Sequence, residues 1–331
     1  MPLTLGERSF PHGLMLAPMA GYTDHGMRTV CHAAGAELLV SEMISAKAVC
    51  YNDRKTESLA RLYASDGPTL IQLFGSEGDV LAEAARRLLQ GVKGEVAPIG
   101  FDINMGCPVR KIVSSGDGSA LMEHPEKIEA IVRAVTHATS LPVSVKLRAG
   151  IDRAHRNAVE CALAAEAGGA AFVTIHGRTR SEMYSGRADR EIIKNVKNSL
   201  RLPVIANGDI ASGRDAIEML YDTGCDGIMV GRAAIGNPFL FTEILCALEG
   251  CSYTPPTPRE RVAVAKEQLA HSVAHLGEEL AVREGRKQIA LYLRACPGAA
   301  ALRAHIHAAT TVKEMHAALD AALRTMETLT P

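Results

Sequence analysis

The stretch Gly100-Phe101-Asp102-Ile103-Asn104-Met105-Gly106-Cys107-Pro108-Val109 decides how this chain folds. An apolar run reaching Phe101 reads as a buried strand, and Asn104 to Pro108 then turn the chain out of the sheet with a thiol at the apex. Short runs of the same kind recur at 14–17, 38–41, 69–73, 143–146, 172–176, 204–207 and 227–230. Helical patterns separate most of them, at 80–90, 125–139, 157–167 and 214–221, with Asp79 and His124-Pro125 as start signals for the first two. Eight strands alternating with helices over about 240 residues is the stoichiometry of a (β/α)8 barrel, the TIM barrel.

A doubly wound sheet alternates strand and helix as well. The polar residues separate the two folds. Pro18, Ser41, Gln72, Asn104, Lys146, His176, Asn207 and Gly231 each stand at or just past the C-terminal end of a predicted strand. In a closed barrel those ends converge on one mouth, whereas a switch-point site draws on fewer strands.

From Cys251 the composition changes, and Tyr253-Thr254-Pro255-Pro256-Thr257-Pro258 reads as a stiff linker. Beyond it Ala, Leu, Arg and Glu recur at helical spacing, broken at Pro297-Gly298 and Thr310-Thr311, which predicts a small bundle of three or four helices. The expected organisation is a barrel over 1–250, a linker over 251–258 and a helical domain over 259–331.

The 331 residues include 36 basic and 37 acidic side chains, a net charge of −1, so a polyanionic partner must be met by a local patch. Eight cysteines, at 31, 50, 107, 161, 225, 246, 251 and 296, form no C-x-x-C pair. Several lie in Ala-rich or apolar helical stretches, which fits a reducing cytosol. No metal site is expected, Cys246, Cys251 and Cys296 included. The N-terminus has only a short apolar run at 14–17, and no segment approaches the ~20 apolar residues needed to span a bilayer. A soluble, cytoplasmic protein is the expectation, with no membrane association.

Asn207-Gly208-Asp209 after the seventh strand and Gly231-Arg232 after the eighth are the places where barrels frequently hold a phosphate. Lys146 closes an apolar run, so its ammonium belongs in the mouth, where it can neutralise charge on an electron-accepting ring. Gln72 offers an amide in the same layer, and His176 opens a loop, His176-Gly177-Arg178-Thr179-Arg180, rich in groups that bind anions or polar rings. Cys107, with an ordinary thiol pKa of ~8.5, is mostly protonated near neutral pH and suits a proton donor better than a nucleophile. In the tail, Arg283, Arg286, Lys287 and Arg294 fall at offsets that share one helix face, with Glu284 off it.

The segments 17–24 (Ala-Pro-Met-Ala-Gly-Tyr-Thr-Asp), 41–43, 102–108, 118–121, 176–180, 207–210 and 231–233 together resemble the flavin-dependent tRNA-dihydrouridine synthases, closest to the bacterial B-type subgroup. That resemblance implies an FMN-binding TIM barrel joined to a helical tRNA-binding domain, which reduces the uracil C5–C6 double bond of D-loop uridines with NADPH, or NADH, as reductant. It implies that Pro18, Met19, Ala20 and Gln72 contact the isoalloxazine ring, and Lys146 its N1/O2 edge. Asn207, Gly208, Asp209, Gly231 and Arg232 would hold the FMN phosphate. Asn104 would bind the target base, and Cys107 would give its proton to C5 while hydride reaches C6 from the other face. His176 and Arg178 would hold flavin or uracil carbonyls, and Arg283, Arg286 and Lys287 would meet tRNA. No DNA partner is expected, and a monomer is. The tail departs from the family pattern, reading Arg286-Lys287-Gln288 and Leu291-Tyr292 where Arg-Lys-His and an aromatic-Tyr pair are common. Two alternatives are an FMN barrel of the dihydroorotate dehydrogenase type and a tRNA-binding protein that has lost catalysis.

Overall fold

A computed structural model describes residues 2–91, 94–294 and 298–329. Eight parallel strands, Leu14–Leu16, Leu38–Val40, Thr69–Phe74, Gly100–Asn104, Val143–Arg148, Val173–His176, Val204–Asn207 and Gly227–Val230, pair in chain order. The eighth returns to the first, and the second pairs with the third, closing a TIM barrel. A short strand, Ile44–Ser45, extends the pairing along the third.

Alternation along each strand sorts its residues between two cores. Leu14, Leu16, Leu39, Ile71, Leu73, Ala206 and Ile228 pack outward with the surrounding helices. Met15, Leu38, Val40, Leu70, Ile205 and Met229 form an inner cluster with Leu3, Leu5 and Phe10. Those last three come from an antiparallel hairpin, Leu3–Leu5 with Arg8–Phe10, which sequence reading does not reveal because neither strand is a continuous apolar run. The inner cluster fills the barrel beneath its mouth, so the mouth has a closed floor.

Helices Gly78–Gly91, Pro125–Ala138, Ala158–Ala167 and Gly213–Thr223 lie close to the predicted ranges. Asp79 proves to be inside the first turn of its helix and not ahead of it, whereas Pro125 does occupy the first turn of the next. Beyond the barrel's last helix, Leu240–Glu249, come Pro258–Leu276, Glu278–Ile289, Ala299–Ala308 and Val312–Leu329. Pro258 belongs to the first of these and not to the linker. Thr257 caps that helix, exchanging hydrogen bonds with Glu260 in a capping box. The tail has its own apolar cluster, including Leu269, Val282, Ile289, Tyr292, Leu293, Met315 and Leu319.

Among the described residues no group of three or more His, Cys, Asp or Glu side chains is placed to hold a metal ion. Cys296 and Pro297 lie outside the described residues. No described helix is long and apolar enough to cross a membrane.

Candidate active site

The same alternation that fills the barrel floor with apolar groups makes its upper layers polar. Leu70 is followed on the inner face by Gln72, Gly100 by Asp102 and Asn104, Ser144 by Lys146 and Arg148, Thr174 by His176, and Ile205 by Asn207. Parallel register then sets neighbours side by side: Gln72 by Asp102, Asn104 by Lys146, Arg148 by His176, and His176 by Asn207. All of these but the buried Asp102 open into a cavity of about 640 Å³, which the loop residues Ala17, Pro18, Met19, Ala20 and Tyr22 also line.

A continuous hydrogen-bond chain builds the exit turn of the fourth strand. Ser144 Oγ and Gln72 Nε2 donate to the two oxygens of Asp102, at 2.6 and 2.7 Å. Asn104 Nδ2 donates to Gln72 Oε1 at 2.9 Å, and Asn104 Oδ1 accepts the backbone N–H groups of Gly106 (3.2 Å) and Cys107 (2.9 Å). Burial holds the Asp102 carboxyl above its usual range, opposed by its two hydrogen bonds and by Lys146. From the other side, Ser119 donates from both N and Oγ to the Cys107 carbonyl, at 3.1 and 2.8 Å. Gly118, at φ +59, lies so close that a Cβ there would stand 3.0 Å from that of Cys107. Arg148 Nε completes the fixation by donating to Gly106 O at 2.7 Å. Burial pushes the Cys107 thiol up, opposed by the Val109 N–H and by Arg148, so the sulfur carries its proton at neutral pH.

The cations of the mouth weaken one another. Lys146 Nζ donates to Asn207 Oδ1 at 2.9 Å, and burial together with Arg148 lowers its pKa to about 7. Burial and four neighbouring cations lower His176 to about 2, which leaves it a neutral hydrogen-bonding ring. Gly208 and Asp209 both have positive φ, +125° and +55°. Their backbone N–H groups, and that of Gly231, find no protein acceptor among the described residues. A Cβ at Gly208 would press on Ala188 Cβ at 2.6 Å and His176 Cδ2 at 3.0 Å, so only glycine fits there. The Asp209 carboxylate is spent on Arg178 Nη2 (2.7 and 2.8 Å) and on the Ala188 N–H (2.7 Å).

That last pairing corrects the expectation for Arg178. Its side chain is 2% exposed, does not line the cavity, and donates also to the Ser185 and Gly186 carbonyls at 2.9 and 2.7 Å. It braces the loop over 178–186 and neutralises Asp209, with Nη1 3.5 Å from His176 Nε2.

With the mouth in view, comparison with known proteins is specific. The family profile described as Dihydrouridine synthase (Dus) matches residues 15–327. The chain belongs to the dihydrouridine synthase family. It is 38% identical over 304 residues to tRNA-dihydrouridine synthase B of Pseudomonas aeruginosa, covering 92% of this chain and 90% of the relative. It is 39% identical over 298 residues to tRNA-dihydrouridine synthase B of Serratia marcescens, covering 88% and 86%. A probable tRNA-dihydrouridine synthase of Mycobacterium tuberculosis is 36% identical over 330 residues, covering 96% and 84%. This member of the family is accordingly an enzyme.

Its tail differs from the sequence expectation. Arg286 Nε donates to the Ala309 carbonyl at 2.7 Å, tying two tail helices together. Lys287 pairs with Glu284 at 3.2 Å and lies 5.0 Å from the centroid of the Tyr22 ring, at the seam with the barrel. Arg283 is the exposed one of the three, and it too lies beside Glu284, at 3.8 Å. The helix ends at Ile289 and a 3-10 turn, Ala290–Leu293, follows, so Arg294 leaves the shared face and lines the cavity together with Leu291.

Two further mouth residues are absent from the sequence reading of this synthase family member. Arg148 lies two positions beyond Lys146 on the same strand, and strand alternation alone places it in the mouth. Its Nη1 holds the carbonyls of Thr179 and Met183, both at 3.0 Å. Tyr184 stands beside it, 5.8 Å from the Arg148 guanidinium and 4.5 Å from that of Arg232. Its signal is an aromatic between Met183 and Ser185 in a long βα loop.

Proposed function

We propose that this chain is an FMN-dependent tRNA-dihydrouridine synthase that reduces the uracil C5–C6 bond of specific D-loop uridines, with NADPH, or NADH, as reductant. The observation that carries the reading is a thiol whose turn is fixed on three sides at a strand exit, sharing one cavity with a lysine and with the loops over 207–209 and 231–232. The residues fit FMN by the chemistry of their donors. Free backbone N–H groups at Gly208, Asp209 and Gly231, with the half-exposed Arg232 guanidinium, suit a phosphate. The Asp209 side chain, already neutralised by Arg178, adds no repulsion. Pro18, Met19 and Ala20 present an apolar edge to a ring, with Gln72 and Lys146 at its polar rim.

The chemistry that FMN held there would supply is hydride transfer to C6 of the uracil. Cys107 supplies the other atom: the C5=C6 electron pair moves to C5, takes the proton from Sγ, and leaves a thiolate near the Val109 N–H and Arg148. Asn104 holds the base with its remaining Nδ2–H, whose only contact among the described residues is a long one of 3.8 Å to Met43 Sδ. Lys146, at about 7 in the bare mouth, gains its proton readily when negative charge arrives beside it. His176, being neutral, positions and does not donate a charge. A uridine inside folded tRNA must leave its stack at a cost of about a few kcal/mol, which contacts along the helical tail, Arg283 and Arg294 among them, offset.

The test is spectroscopic. Purified protein carries FMN, loses its yellow colour with NADPH under anaerobic conditions, and regains it on adding tRNA that lacks dihydrouridine. A protein that holds no flavin, or whose reduced flavin is reoxidised by orotate and not by tRNA, overturns the reading.

A further inference from the structure

Barrel and tail are joined by four polar side chains whose donors all point one way. Tyr292 Oη donates to Gln268 Oε1 at 2.7 Å, Gln268 Nε2 to Gln288 Oε1 at 2.6 Å, and Gln288 Nε2 to Asp24 Oδ2 at 2.9 Å. The three tail residues are 1–2% exposed. Asp24 belongs to the barrel, where its other oxygen caps the first barrel helix by accepting the Met27 N–H at 2.8 Å. Burial raises the Asp24 carboxyl, opposed by the Met27 N–H, Arg28 and Gln288, and with both its oxygens accepting here, from Met27 N–H and Gln288 Nε2, Asp24 sets the direction of the chain, since the amides can turn over.

The surrounding contacts are tight. A Cβ on Gly26 would stand 2.4 Å from Gln268 O, and one on Gly236 would stand 2.5 Å from the Leu291 backbone carbonyl carbon, so helix and turn sit directly on the barrel. Lys287 Nζ lies where a Cβ on Gly21 would meet it at 2.7 Å, and the Gly21 N–H donates to Glu42. Tyr22 on the barrel side and Leu291 and Arg294 on the tail side then line the mouth.

We propose that the chain Asp24–Gln288–Gln268–Tyr292 is a latch that sets the angle of the tail over the mouth, and thereby which uridine reaches Cys107. This rests on the tRNA reading above. Gln288 is a positioning residue: it touches neither cofactor nor base, and acts by fixing the turn that carries Leu291 and Arg294. The leverage is large, because a tilt of about 5° along a helix of about 28 Å, the span of 19 residues, moves its far end by about 2 Å.

Charge reversal and rescue test it. Gln288→Glu sets a carboxylate against Asp24 and opens the latch. Asp24→Asn in that background restores a donor–acceptor pair, while the asparagine oxygen keeps the helix cap. In Gln288→Glu the KM for tRNA rises about tenfold or more and dihydrouridine appears at additional positions, whereas NADPH bleaches the flavin within about twofold of the normal rate. The double variant returns KM and position to normal. Hydrogen exchange over 258–293 gives the same comparison without activity: faster in the single variant, restored in the double. Should Gln288→Glu not fold, Gln288→Met, which removes the donor without adding charge, carries the same expectation of raised KM and faster exchange. Unchanged KM, position and exchange, or losses that Asp24→Asn fails to reverse, overturn the latch. Wild-type protein that makes no dihydrouridine at all overturns the tRNA reading instead, and the exchange comparison still decides the latch.

Discussion

The mouth of the barrel and the tail helix Glu278–Ile289 both carry clustered charge, yet the fold uses them in opposite ways. On a strand, alternation leaves a polar residue two places past a core residue no direction but the barrel interior, and parallel register then chooses its neighbours. On a helix, spacing says which residues share a face and nothing of what that face meets. Arg286 and Lys287 share theirs with Arg283, but one holds the Ala309 carbonyl and the other sits against Glu284 and Tyr22. A cation is a candidate for nucleic acid only once its internal partners are known.

Substitutions on the two sides of this contrast should differ in kind. Cys107→Ala should lower dihydrouridine formation by about 10²–10⁴-fold while leaving bleaching by NADPH nearly unchanged, read by single-turnover assays on unmodified tRNA. Arg148→Met, which frees the Gly106, Thr179 and Met183 carbonyls, should cost about ten- to a hundredfold in the same assay. It should also raise the Cys107 pKa further, since Arg148 is among the groups that lower it, and a pH titration of thiol alkylation reads that shift.

In the tail the expected effects are smaller and separable. Arg294→Ala should raise KM for tRNA about threefold to tenfold and reduce the salt slope of binding by about one. Arg286→Ala should leave that slope alone and destabilise the tail by about 1 kcal/mol, the worth of one hydrogen bond, measured by denaturant unfolding.

A further effect concerns the bare mouth. Lys146 has a folded pKa of about 7 against about 10.4 unfolded, so between those values the unfolded chain binds more protons and stability rises with pH. Below about 7 the full cost of burying the ammonium is felt. Lys146→Met should therefore raise the melting temperature of cofactor-free protein, more at pH 6 than at pH 10. A gain that is larger at pH 10 would contradict the assignment.

What could be read in sequence follows the same division. The eight barrel strands were legible because each is a short apolar run closed by a polar residue, as in 143–146 with Lys146 at its end. The fifth strand in fact runs on to Arg148, and stopping the pattern at Lys146 hid a second cation on the same face. The residues at 207–209 and 231–232 were legible as an anion site through their glycines. The division of labour within it was not, because the Asp209–Arg178 pairing joins two loops 31 residues apart. Gln72 read as a free amide, yet both its ends are taken by Asp102 and Asn104, a commitment only the register of adjacent strands reveals. The N-terminal hairpin and Tyr184 lie in segments without a period to betray them.

The central claim is that Cys107 gives its proton to C5 on the face opposite the incoming hydride. Unmodified tRNA reduced in deuterium oxide with unlabelled NADPH tests it directly, with the product nucleoside located by NMR and mass spectrometry. The expected result is solvent deuterium at C5, trans to the hydrogen isotope added at C6, which follows exchange at the flavin N5–H, formed at a rate that collapses in Cys107→Ala. Protium at C5, addition of both atoms to one face, or an undiminished rate in the alanine variant would contradict it.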